Sequence, residues 1–108
     1  MRQVAPGVDA RDEVERLEAE LTLRELGRAC AAAPADAPPA EARYRDGCRL
    51  AAEGRHAEAL EALLEAARQD KRLGAGKVRE AMVQVFYALG ARDPLSDRYR
   101  AELARTIY

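Results

Sequence analysis

Residues Ala40 to Lys71 read AEARYRDGCRLAAEGRHAEALEALLEAARQDK, two helical patterns hinged at Glu53-Gly54-Arg55. In the first pattern Tyr44, Gly47, Cys48 and Ala51 recur at spacings that place them on one face of a helix. In the second, Ala59, Leu60, Leu63, Leu64, Ala66 and Ala67 do the same. A glycine inside a helix costs about 1 kcal/mol relative to alanine, so Gly47 requires a compensating gain. Close approach of a second helix supplies one, and Ala59 and Ala66 put small residues on the opposing side. The stretch therefore predicts an antiparallel helical hairpin.

The segments around it read as further helices. Residues 1–8 hold Pro and Gly without a period and predict a flexible lead-in. Asp9 or Asp12 then caps a helix near 10–32 that breaks at Pro34. Its apolar residues form two stripes on nearly opposite sides: Val14, Leu17 and Leu21 on one, Leu23, Leu26 and Cys30 on the other. One stripe can pack on the hairpin; the other needs a partner or a bend. After the loop PADAPP, Pro38 and Pro39 lead into the hairpin helices, near 39–53 and 56–70. Gly74 is placed to cap the second. A helix near 76–89 follows, with Val78, Ala81, Met82, Val85, Phe86 and Leu89 on one stripe. Gly90 stops it, and Asp93-Pro94 opens a last helix near 94–107 with Leu95, Tyr99, Leu103 and Ile107 on one side. No segment alternates with period two. The prediction is a single all-α domain over 9–108.

Composition removes several classes of function. Charged residues make up 34% of the chain but nearly cancel, at a formal net charge of −1. That balance offers no basic face for nucleic acid and none for an anionic membrane. No apolar run approaches the ~20 residues needed to span a bilayer, and no apolar stretch follows Arg2 to suggest secretion. Cys30 and Cys48 stand at neither a zinc nor a CxxC spacing. Reduced thiols in the cytoplasm are the expectation.

The hairpin resembles a tetratricopeptide repeat, a helix-turn-helix of about 34 residues. With Ala40 as first position, Gly47 falls at the packing glycine, Leu50 at the next core slot and Gly54 at the turn. Ala59, Leu63 and Ala66 fall on the core slots of the second helix. Arg43, Asp46 and Lys71 depart from the pattern, which favours Trp, Leu and Pro there. The C-terminal stretch KVREAMVQVFYALGARDPLSDRYRAELARTIY resembles the end of the YbbN-type thioredoxin-like proteins, or chaperedoxins. The resemblance rests on Leu89-Gly90, Arg92-Asp93-Pro94, Tyr99-Arg100, Leu103 and Tyr108, and covers about Asp12 to Tyr108. It implies about five helices, paired as hairpins in a right-handed solenoid-like array. It also implies a cytoplasmic chaperone that holds unfolding clients and hands them to the chaperonin through its C-terminal end. The family's thioredoxin domain has no counterpart here, so its redox chemistry is not carried over.

The residues themselves point to binding and away from catalysis. Carboxylates such as Glu58, Glu61 and Glu65 lie on solvated helix faces, which supply no pocket of the kind acid–base work needs. His56 has no companion at catalytic spacing and reads as a packing or capping residue. No catalytic, metal or cofactor-binding residues, and no cofactor, are expected. The candidate partner-binding residues are Glu41, Tyr44, Cys48 and Ala51 on the inner face of the hairpin, and Leu103, Ile107 and Tyr108 at the apolar C-terminal tip. That inner face is either open or buried by the last two helices. Cys48 on it is a packed side chain or, on the rival reading, a redox-sensing or client-linking thiol. The principal expectation is a non-enzymatic protein-interaction module that takes a client or chaperonin. The alternative is a homodimer formed through Leu23, Leu26 and Cys30, or through the Val14 stripe.

Overall fold

A computed structural model of the protein describes residues 10–31, 36–90 and 93–108. Five helices and one short helical turn account for most of them. These are α1 (Ala10–Ala31), α2 (Pro39–Ala52), α3 (His56–Gln69), the single turn α4 (Lys71–Leu73), α5 (Arg79–Leu89) and α6 (Pro94–Ile107). There is no strand among the described residues, and the all-α expectation holds. The expected lead-in at residues 1–8, the cap at Asp9 and the break at Pro34 lie outside the described residues.

The α2–α3 hairpin is the best-packed pair. A Cβ added at Gly47 would sit 2.6 Å from Leu63 Cγ and 3.3 Å from the Ala59 carbonyl, so the two helices touch where the sequence provides no side chain. Gly54 makes the turn at φ +83°, a conformation that costs other residues steric strain. Arg43 and Asp46, two of the three departures from the repeat pattern, pair with one another at 3.3 Å on the surface.

Asp70, extended at φ −145°, ends α3, and its carboxylate accepts from the amides of Arg72 (3.0 Å) and Leu73 (3.2 Å) to start α4. Gly74, expected as the cap, is helical instead at φ −60° and ψ −43°. Its role is packing. A Cβ there would meet Ala67 Cβ at 2.7 Å and Ile107 Cγ2 at 3.0 Å. The chain then passes through one π-type turn and kinks at Gly76 (φ −99°, ψ −112°). The kink moves the regular start of the next helix to Arg79. At α6, Asp93 Oδ1 accepts from the Leu95 amide at 2.9 Å, with Pro94 opening the first turn.

α6 lies on α3, where the Tyr99 hydroxyl donates to Glu61 at 2.9 Å. α5, however, lies along α1. Gly27 presses α1 onto the end of α2, with Ala52 Cβ 2.5 Å from where its own Cβ would be. At the other end of α1, Arg16 Nη2 donates to the Leu89 carbonyl at 3.2 Å. Glu20 and Arg24 lie beside Ala52 and Gly54, and Cys30 lies beside Cys48, earlier in α2, so α1 is antiparallel to α2 as it is to α5 and forms the wedge between them. Ala19 and Leu23, each 1% exposed, carry that contact and join a core that includes Leu60, Leu63, Leu64, Met82 and Val85.

Candidate functional site

Glu41, Tyr44, Cys48 and Ala51 share the inner face of α2, as their spacing predicts. Cys48 and Ala51 are buried. The cover comes from α1, whereas the sequence suggested the last two helices as the alternative to an open face. Leu23, Leu26 and Cys30 do the covering: Leu23 is buried outright, and Leu26 and Cys30 are half-buried against the core. The stripe proposed for homodimerisation thus faces inward within one chain, and Leu23 has no surface left for a second copy. Val14, Leu17 and Leu21 face solvent instead.

Burial sets the chemistry of Cys48. Desolvation, with the neighbouring Cys30 adding to it, pushes the thiol up to about 12. The Tyr44 hydroxyl is likewise raised, chiefly by burial and then by Cys48. A thiol held in this way is protonated at neutral pH and a poor nucleophile. Cys48 packs α2 against α1.

Tyr44 stands at the margin of this buried region and Glu41 one turn before it. Lys77, from the kinked segment ahead of α5, reaches both. Its Nζ is 2.8 Å from Glu41 Oε1 and 5.1 Å from the centroid of the Tyr44 ring. This three-residue clasp ties α2 to the base of α5. Tyr44 and Lys77 also wall an open cleft of about 380 Å³ between α1, α2 and α5. Leu26, Tyr44, Ala81 and Val83 supply apolar lining, with Thr22 and Gln84 as hydrogen-bonding groups and Arg79 and Glu80 as charges. The sequence marks Tyr44 and Glu41 for partner binding, but not Leu26 (marked only for self-association), Lys77 or Val83. Those three come from elements whose placement depends on the α1 wedge and the Gly76 kink.

The other candidates separate by burial. Leu103 is buried, Ile107 is half-buried against Gly74, and Tyr108 is 87% exposed. His56 opens α3 half-buried, with Nδ1 enclosed and without a hydrogen-bond partner. No group of three metal-ligating side chains gathers among the described residues, and no helix among them is long and apolar enough to cross a membrane.

Stacked helices around an apolar-floored, charged-rimmed cleft define a helical-repeat protein of the kind that binds other proteins. A tetratricopeptide-repeat family model matches residues 16–108, and the chain belongs to that family. Its repeats generally mediate protein–protein interaction. No curated protein and no solved structure matches the chain.

Proposed function

We propose that this protein is the partner-docking part of a cytoplasmic, chaperedoxin-like chaperone and acts by reversible burial of apolar side chains, without a covalent step. The observation that carries this reading is the cleft beside Tyr44. Its floor takes an apolar side chain of a client, and its rim, with Arg79 and Glu80 on opposite signs, supports the backbone and polar groups around it. Exposed Tyr108, at the end of α6, gives the chaperonin a second contact point. Both features match what the resemblance of the C-terminal stretch implies.

Val83 is half-buried on the cleft wall, so Val83→Trp places a large ring in the cleft. The test is suppression of aggregation of a thermally unfolding substrate protein, together with chaperonin binding measured by interferometry. The expected result is loss of client protection in Val83→Trp and weakened chaperonin binding when Tyr108 is removed. Unchanged behaviour of both variants, or inactivity of the unaltered protein in both assays, would overturn the reading.

A further inference from the structure

Five large apolar or aromatic side chains are exposed among the described residues, and three of them form one stripe on α1. Val14, Leu17 and Leu21 are 51%, 55% and 58% exposed, on the side of the helix opposite Ala19 and Leu23. The spacing of three and then four residues is the a–d–a seam of a helix that pairs with another helix. Nothing in the described part of the chain covers it.

The charges around the seam select its occupant. Glu13 and Glu20 flank it on one side, Glu18 and Glu25 on the other. Of the two basic residues within this stretch, Arg16 is directed to the Leu89 carbonyl at the end of α5, and Arg24 lies beside Ala52, Gly54 and His56. Two copies of α1 would meet badly in either orientation. In a parallel pair Glu13 faces Glu18 of the other copy, and Arg24, which continues the seam, faces itself. In an antiparallel pair that stacks Leu17 on Leu21 of the other copy, Glu18 faces Glu18 and Glu20 faces Glu20. Like charges at these positions oppose pairing, and opposite charges favour it.

We propose that the Val14–Leu17–Leu21 face is a docking surface for a partner amphipathic helix of two to three turns, with Leu-type residues at matching spacing and Lys or Arg on its flanks. The surface lies on the outer side of α1, away from the cleft, and the proposal does not depend on client binding there.

Two fluorescent, helix-stapled peptides of about 18 residues test it, sharing one apolar seam but carrying Lys or Glu on the flanks. Anisotropy titration of the full chain is expected to show the Lys-flanked peptide binding about tenfold tighter, with the preference shrinking as salt rises. Leu17→Gln with Leu21→Gln should lower that affinity at least about tenfold while leaving helicity and melting unchanged, since both side chains are exposed. Glu13→Lys with Glu18→Lys should reverse the preference. Val83→Trp should leave it alone.

Equal binding of the two peptides would overturn the proposal, as would no binding of either at about 1 mM. Sensitivity to Val83→Trp in place of Leu17 would assign the peptide to the cleft. A dimer in sedimentation that Leu17→Gln disperses would assign the face to a second copy. Either result refutes the basic partner helix.

Discussion

The α2–α3 hairpin and helix α1 are built from similar residues, yet their sequences differ in how much they specify. In the hairpin each helix has one apolar face, and glycine or alanine stands where the backbones come closest. One packing satisfies all of these at once, and Gly47 against Leu63 is that packing. α1 carries two apolar stripes of similar content on opposite sides, so its own periodicity selects neither. The choice falls to the surface it meets. α2 and α5 offer a trough that accepts Ala19 and Leu23, with Gly27 letting the backbone descend onto Ala52. An ambiguous helix between two unambiguous ones takes its orientation from them.

Deleting core atoms should test that account with the largest effect. Leu63→Ala in the hairpin and Leu23→Ala in α1 should each cost about 2–5 kcal/mol in urea unfolding, because both side chains are fully buried. Leu17→Ala and Leu21→Ala should stay within about 0.5 kcal/mol. If Leu17 proved costlier than Leu23, the orientation of α1 described above would be wrong.

Gly27→Ala sharpens the comparison at one contact. In an open helix the change would gain about 1 kcal/mol. Here the new methyl would lie 2.5 Å from Ala52 Cβ, so α1 must shift and a net loss of about 1–2 kcal/mol is expected. Ala52→Gly in the same chain should restore most of it, as read in a double-mutant cycle.

Alkaline pH probes the seam between α1 and α2 from a different direction. Cys48 and Tyr44 are held protonated in the fold, chiefly by burial, while their unfolded values are the ordinary 9.0 and 10.0. The unfolded chain therefore releases these protons first. Stability should be flat below about pH 9 and fall as pH rises through the range in which Cys48 titrates, near 12. Cys48→Ala should flatten part of that slope in chemical-denaturation curves taken between neutral and alkaline pH. An unchanged slope would contradict the burial of the thiol under α1.

The smallest effect belongs to the surface pair Arg43–Asp46. Both side chains are about 40% exposed, and solvent screens the pair. Arg43→Ala should change the thermal midpoint by no more than about 1–2 °C, a shift that scanning calorimetry can resolve. These two departures from the repeat pattern are then neutral replacements that satisfy one another.

Much of the fold was legible before any coordinates. Single-faced apolar periodicity located α2, α3, α5 and α6, and Gly47, Gly54, Asp93 and Pro94 marked a contact, a turn and a cap whose chemistry is local. Glu41 and Tyr44 were legible as one face of α2 for the same reason. Three things were not. Asp70 acts as the cap that restarts the chain while Gly74 packs, because an Asp before Lys-Arg-Leu and a Gly beyond it fit either role until Ala67 and Ile107 close around the glycine. The cover over Cys48 and Ala51 is α1, because which stripe is buried depends on the trough and not on the helix. Lys77 reaches Glu41 and Tyr44 only after the kink at Gly76 has aimed it. Helix formation and turns follow from neighbours within a few residues, and those the chain order encodes directly. The cleft arises from Leu26, Tyr44, Lys77 and Val83, residues far apart in the chain, and only the packing of one helix between two others brings them together.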